Sequence, residues 1–213
     1  MSFDIICFDC DSTLSKIEGI DELGRDSGLY DQLVVLTNAA MNGELALEEV
    51  YGKRLSLIKP DKAQISWLAD LYIAEIVEGV EQVFSTLLAQ GKQVHIISGG
   101  IRQAILPLAK KLGLSADKVH AVDVLFNQDG SYKAFDQQSP LAKNGGKAII
   151  CKQIKAENLT MAMVGDGKTD LEAKNVGAKV IGFGGVIQRE IVVEGADVFV
   201  KNTSLMAVLP HLA

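Results

Sequence analysis

The run Ile5-Ile6-Cys7-Phe8-Asp9-Cys10-Asp11-Ser12-Thr13-Leu14 decides how this chain is read. Four uncharged residues, Ile5 to Phe8, stop at a turn-forming Asp-Cys-Asp-Ser run, which predicts a strand buried on both faces, as in a parallel sheet. Side chains alternate along an extended chain. Asp9 and Asp11 can therefore point to the same side just past the strand's carboxyl end, where open α/β sheets bind ligands. Two carboxylates held together repel, and they persist only if a cation neutralises them or one keeps a proton. Either outcome suits phosphate chemistry. Asp at a strand end also starts turns and caps helices, so the remainder of the chain has to decide.

With 213 residues, 48% of them apolar, the chain is long enough for one core domain and a modest insertion. Its apolar runs are far shorter than a bilayer span, and the start lacks the pattern of a signal peptide; a soluble, cytoplasmic protein is expected. The net charge of -6 is spread without a basic run, which argues against nucleic acid and acidic membrane as partners and leaves a small anionic ligand to be held by local groups. The three cysteines cannot all pair. Cys7 and Cys10 form a Cys-x-x-Cys, but Cys7 lies inside the apolar run rather than at a helix start, so core packing in a reducing compartment is expected.

After Leu14 the texture changes. Helical patterns cover 21–28, 31–43, 47–58 and about 61–76, with breaks at Gly43 and Pro60, and no strand signal intervenes. This block, 15–76, reads as a helical cap inserted into a core formed by 1–14 and 77–213, and a cap beside strand ends can act as a lid. From Gly79 strands and helices alternate: a helix over 80–90, a buried strand over 94–97 ending in Ser98-Gly99-Gly100, and a helix over 101–112. Strands over 119–126 and 132–135 flank Asn127-Gln128-Asp129-Gly130, a hairpin signal. A helix over 146–156, a strand over 161–164, a short helix over 171–176 and strands over 180–183 and 198–200 complete the pattern. Such alternation requires a mainly parallel, doubly wound, Rossmann-like sheet. Its strands share one carboxyl edge, so Asp9, Asp11, Ser98 and Asp166 converge.

Ser98-Gly99-Gly100 at a strand-to-helix junction offers a hydroxyl, close backbone approach and unpaired amides to an anion, although Ser is a common cap and Gly-Gly a common turn. Gly165-Asp166-Gly167-Lys168-Thr169-Asp170 mimics the end of a Walker loop, but Ala162 stands where the first glycine is required. The run from Asp9 likewise fails as a calcium loop, because Thr13 and Leu14 replace a ligand and a glycine. What remains is a set of carboxylates, Asp9, Asp166 and Asp170, suited to Mg²⁺ with water and a substrate phosphate. Lys147 follows Gly145-Gly146 at a helix start, a poor place for a cation unless it faces a bound anion. His95, His120 and His211 lack ligand or triad spacing, and His95 in an apolar strand reads as a core residue.

In this order, Asp9-x-Asp11-x-Thr13, Ser98, Lys147 and Gly165-Asp166-Gly167-x-x-Asp170, the chain resembles the haloacid dehalogenase superfamily. Its phosphoserine phosphatase branch is matched more closely still. Glu18-Gly19-Ile20-Asp21-Glu22-Leu23, Ala40-Met41-x-Gly43, Arg54-Leu55-x-Leu57-Ile58, Gly145-Gly146-Lys147 and Ile181-Gly182-Phe183-Gly184-Gly185 carry that likeness along nearly the whole chain. The resemblance implies a Mg²⁺-dependent phosphatase that ends serine biosynthesis. Asp9 would be the nucleophile and Asp11 the general acid and base. Glu18 and Arg54 would hold the ammonium and carboxylate of phosphoserine beside an apolar wall at Met41. Ser98, Gly99, Gly100, Lys147 and Thr169 would bind the substrate and its phosphoryl oxygens. Asp9, Asp166 and the Asp11 carbonyl would hold the metal, supported by Asp170. Lys168 stands where the family often has a small residue.

A phosphatase or phosphotransferase for another small phosphomonoester is the alternative within the class. A signalling receiver domain shares the strand-end acids and a lysine, but it needs no acid for a leaving alcohol and has no helical insertion. A monomer or homodimer is expected.

Overall fold

A computed structural model describes residues 3–212 of the protein. Strand β1 (Ile5–Phe8) is buried along its whole length, as its uninterrupted apolar pattern requires. The chain then passes through α1 (Gly19–Asp26), α2 (Tyr30–Asn42), α3 (Leu47–Ile58) and α4 (Lys62–Ala74) before α5 (Val80–Ala89). The start of α4 is fixed by a capping box: the Asp61 carboxylate accepts from the Gln64 amide at 2.8 Å, and the Gln64 side chain accepts from the Asp61 amide at 3.1 Å. A Ser15–Ile76 bridge and a bond from the Val77 amide to the Leu14 carbonyl gather the two ends of this helical segment. The last of its helices, α4, packs against α6 (Arg102–Lys111), so α1 to α3 are the part that overhangs the sheet edge.

Between α5 and α6 runs β2 (Gln93–Ile101). It is longer than its apolar run predicts. Ser98-Gly99-Gly100, expected as a turn into a helix over 101–112, instead lies within the strand, where the register against β3 (Val119–Val122) shifts between Ile97 and Ile101. Such an irregularity bends the strand and re-aims its side chains. The bend carries the backbone to Asp11: a Cβ on Gly100 would lie 2.7 Å from the Asp11 carboxylate, so glycine is what allows the approach.

The strand expected over 119–126 is divided at Asp123. The Gln103 side chain bonds both the amide and the carbonyl of Val124, and the chain turns away to form the antiparallel pair β4 (Val124–Phe126) and β5 (Tyr132–Phe135). Helix α7 (Gly146–Ile154) leads into β6 (Met161–Gly165), which is also buried throughout. The helix expected over 171–176 is a short α8 (Lys168–Leu171) followed by a 3-10 turn. After β7 (Lys179–Phe183) comes α9 (Glu190–Gly195), too short to announce itself by periodicity, and β8 (Val198–Val200) closes the sheet.

The six-stranded sheet is parallel throughout, in the order β3-β2-β1-β6-β7-β8. The chain proceeds from β1 towards β2 and β3, then returns to the other side of β1 at β6. The carboxyl ends of β1 and β6 thus flank the point where the winding reverses, the position at which a crevice opens in doubly wound sheets. Asp9 and Asp166 are the first residues past those two ends.

Candidate active site

The Asp9 amide still bonds to the Val164 carbonyl of β6 at 2.9 Å, so the first acid is fixed by the sheet itself. Beyond it the amides of Thr13, Leu14 and Ser15 converge on the Cys10 carbonyl, and the chain folds back on itself. This tight turn presents Asp11 beside Asp9 at one cavity. Ser98 lies behind the cavity wall, where its hydroxyl is 3.3 Å from Asp11 Oδ2 and accepts from the Gly100 amide at 2.9 Å.

On the β6 side, oxygens of Asp9, Asp166 and Asp170 lie within 4.8 Å of one another, all three residues buried. The Thr13 hydroxyl reaches Asp166 Oδ1 at 3.1 Å and ties the two strand ends together. Asp170 sits one layer deeper and accepts from the Gly167 amide at 3.0 Å. From the start of α7, Lys147 Nζ reaches Asp9 at 2.8 Å and Asp170 at 2.7 Å. Burial alone would push this ammonium down; Asp170 and Asp9 more than reverse that and hold it above an ordinary lysine.

The carboxylates stay under strain of charge. Burial, then the charges of Asp9 and Asp170, pushes Asp166 up to about 8. Asp170 is raised to about 7, chiefly by burial and against the pull of Lys147. Three crowded carboxylates, two of them sharing the Lys147 ammonium, form an all-oxygen donor set, and a hard divalent cation between them would relieve the repulsion. The residues fit such an ion.

Asp11 stands apart from this cluster. Burial and the neighbouring Asp9 raise it to about 6, opposed by hydrogen bonds from Tyr72 and Gly19. Both donors meet the same oxygen: the Tyr72 hydroxyl at 2.6 Å and the Gly19 amide at 2.7 Å bond to Oδ1. Oδ2 meets only the longer 3.3 Å contact from the Ser98 hydroxyl, which makes it the oxygen better placed to carry a proton.

The overhanging helices supply the opposite wall. Glu18, immediately before α1, accepts from the Ser12 hydroxyl at 2.7 Å, and burial raises its carboxyl well above the usual range. Arg54 of α3 is buried, and its Nη1 donates to the Thr37 hydroxyl at 2.8 Å; Thr37 in turn donates to Asp21 at 2.5 Å. This chain leaves Arg54 Nε without a partner among the described residues. Glu18, Met41 and Arg54 line one cavity together with Asp9, Asp11 and Lys147. Gly99, Gly100, Asp166 and Thr169 also line it. Ser98 and Asp170 are the two expected site residues that do not reach its surface.

The haloacid dehalogenase-like hydrolase family matches residues 3–175. The phosphoserine phosphatase of Bos taurus is 35% identical over 203 residues, which span 94% of this chain and 90% of that protein. The chain belongs to the phosphoserine phosphatase family. The chloroplastic phosphoserine phosphatase of Arabidopsis thaliana is 39% identical over 200 residues, covering 92% of this chain and 68% of that one. Among solved structures, a substrate-bound phosphoserine phosphatase complex superposes with a TM-score of 0.86 at 27% identity over all of both chains. A phospho-aspartyl intermediate analogue of phosphoserine phosphatase gives 0.82, again at 27% identity and full coverage. No helix among the described residues is long and apolar enough to cross a membrane.

Within this phosphoserine phosphatase fold, two groups at the site are absent from the sequence reading. Arg189, in the loop before α9, is buried and reaches Asp166 at 3.4 Å and Glu18 at 3.7 Å, while its Nη1 lies 3.2 Å from the side chains of both Asn38 and Asn42. It is a second cation under the carboxylates, and nothing in the Val186-Ile187-Gln188-Arg189 run signals it. Tyr72 counts in the pattern as one more apolar residue of α4; only its hydroxyl bond to Asp11 reveals another role.

Proposed function

We propose that this enzyme hydrolyses O-phospho-L-serine to L-serine and inorganic phosphate through an aspartyl phosphate on Asp9, with Mg²⁺ as its metal. The observation that carries the reading is one cavity that Asp9 and Lys147 line together with Glu18 and Arg54. An acid and a guanidinium facing a phosphate site match the ammonium and carboxylate of an amino acid ester. A generic phosphomonoester offers no partner for either. Arg54 Nε, buried without a partner among the described residues, would then stay unsatisfied at a cost, which is the physical basis of selection.

In the first step a carboxylate oxygen of Asp9 attacks phosphorus and the bond from phosphorus to the serine oxygen breaks. Asp11 gives the proton on Oδ2 to that oxygen as it leaves. Lys147, already paired with Asp9, faces the phosphoryl oxygens with the Gly99 and Gly100 backbone and Thr169, so positive charge and donors are in place before the reaction. In the second step Asp11 Oδ2 takes a proton from the attacking water, the bond from Asp9 to phosphorus breaks, and phosphate leaves. Mg²⁺, held by Asp9, Asp166 and the Asp11 carbonyl and supported by Asp170, would supply charge neutralisation between nucleophile and phosphoryl group. Ser98 acts through Asp11, whose Oδ2 it touches.

The helical segment 15–76 serves as a cap. Because α4 packs on α6, its opening is carried by α1 to α3, which exclude water during phosphoryl transfer and part to release serine. We assign the reaction to the last step of serine biosynthesis, a reading supported by serine being its product.

The test is phosphate release from O-phospho-L-serine beside phosphothreonine, phosphoethanolamine and an aryl phosphate, with Mg²⁺ and with chelator. A wide lead for phosphoserine that chelator abolishes supports the reading. Equal, slow turnover of all four esters would overturn the substrate assignment.

A further inference from the structure

We propose that Lys168 is a positioning residue that fastens the C-terminal end of α2 to the 167–169 loop and so holds the cap closed over the carboxylate cluster. This rests on the reading of 15–76 as a cap that opens and closes.

The last carbonyls of a helix carry partial negative charge that a nearby cation stabilises, yet the final turn of α2 contains no basic residue. Its chain turns out of the helix at Gly43, with φ 80°, and the amides of Glu44 and Leu45 both return to the Ala39 carbonyl. Lys168 reaches this end from the other side of the cavity. Its Cδ, Cε and Nζ pass over the face of Gly43 where a side chain would stand, with Nζ 2.8 Å and Cε 2.9 Å from the position a Cβ would take. The absent side chain leaves the channel through which the lysine runs. The missing cation of the last turn of α2 is thus supplied from the core.

The contact falls on the loop that matters most for the chemistry. Lys168 stands between Gly167, whose amide is held by Asp170, and Thr169, which lines the cavity. Two residues before Gly43, in the last turn of α2, the Met41 sulfur lies 3.1 Å from where a Cβ on Gly167 would be, so the two segments interlock at neighbouring positions. Arg189 meets the same stretch of α2 at Asn38 and Asn42. Two cations of the core therefore converge on one helix end of the cap. Of the two, Arg189 is also bound to Asp166 and Glu18, whereas Lys168 touches neither. Lys168 is accordingly the group through which closure can be weakened without disturbing the carboxylates.

The decisive comparison is Lys168→Met, which keeps the stem over Gly43 and removes the charge, with Lys168→Arg as the conservative partner. Amide hydrogen exchange of the free protein should be about two- to fivefold faster at Gly43, Glu44 and Leu45 in Lys168→Met, and unchanged in β1. Lys168→Arg should restore the slow rates. Raising the salt to roughly 0.5 M should narrow the difference between wild type and Lys168→Met, since a half-buried charge is screened in part at that strength. In turnover, Lys168→Met should raise KM for phosphoserine while kcat stays within about twofold, because apparent affinity falls with the closed fraction. Exchange that does not change, a difference that grows with salt, or a loss in kcat at constant KM would each overturn the proposal. If wild type does not hydrolyse phosphoserine, the substrate reading fails, and the exchange comparison alone decides on Lys168.

Discussion

Metal-free protein should lose stability as the pH rises through the neutral range, and divalent cation should remove that loss. The buried acids of the site hold protons that the unfolded chain gives up: Asp166 is raised to about 8, Asp170 to about 7 and Asp11 to about 6. Each would titrate near about 3.9 when unfolded. For a carboxyl raised in this way, the stabilisation is complete below the unfolded value and vanishes as the pH climbs through the folded one. Between about pH 6.5 and 8, Asp166 and Asp170 give up the last part of theirs, roughly 2–3 kcal/mol together by linkage. Glu18, also raised by burial, acts in the same direction. For a chain of this size each kcal/mol moves Tm by about 2–4 °C, so the expected fall is roughly 5–10 °C. His95, lowered by burial to about 4, and His120, lowered chiefly by burial, work the other way, but each returns only about 0.4 kcal/mol in this window as the unfolded imidazole finishes losing its proton above about 6.5. Calorimetry in chelator at the two pH values reads the slope directly. With excess Mg²⁺ the carboxylates stay ionised and the slope should flatten, making the gain on adding metal larger at the higher pH. Asp166→Asn should remove the larger share of the metal-free slope. A metal-free Tm that is level or rises over this window would refute the claim that mutual repulsion governs the cluster.

Other outcomes follow from the same contacts. Arg54→Lys should lower kcat/KM for phosphoserine by about 30-fold or more while an aryl phosphate changes little, since a point charge replaces a planar fork that faces a carboxylate; equal losses on both esters would remove Arg54 from substrate selection. Tyr72→Phe deletes a donor that lowers the Asp11 pKa, so the alkaline limb of the pH profile of kcat/KM should move to higher pH, and an unmoved limb would show that the bond does not tune Asp11. Lys147→Met should destabilise the metal-free protein by about 3–5 kcal/mol, because Asp9 and Asp170, both buried, lose the ammonium they share; thermal unfolding within about 1 kcal/mol of wild type would contradict that account.

Much of the fold was legible because the decisive strands are short, apolar and bounded by acids. The run from Ile5 to Phe8 predicts a buried central strand and is one. Once the alternation of strands and helices implies a parallel sheet, topology alone brings Asp9, Asp11 and Asp166 to one edge. Lys147 was legible through a misfit: a cation at a helix start is unfavourable unless something anionic faces it, and Asp9 and Asp170 do. The break at Asp123 was hidden because both halves of 119–126 favour strand; only the distant Gln103 side chain redirects them. The bend at Ser98-Gly99-Gly100 was placed correctly but read as a turn, since glycine serves turns and irregular strands alike. Arg189 was beyond reach for a different reason. Its partners, Glu18, Asn38, Asn42 and Asp166, are scattered along the chain and meet only after folding. His95 shows the same limit: it is the expected core histidine, but its stacking with His120 at a nitrogen separation of 3.1 Å needs the register of β2 and β3.

The central claim is that Asp9 takes the phosphoryl group, and a quenched single turnover tests it most directly. Enzyme in excess over phosphate-labelled phosphoserine, with Mg²⁺, is stopped in acid within the turnover time, digested and mapped by mass spectrometry. The account predicts an acid-stable, base-labile acyl phosphate on the peptide containing Asp9, absent in Asp9→Asn, appearing with serine and decaying as free phosphate forms. Label on another residue, or serine and phosphate released together from an enzyme that never carries label, would contradict it.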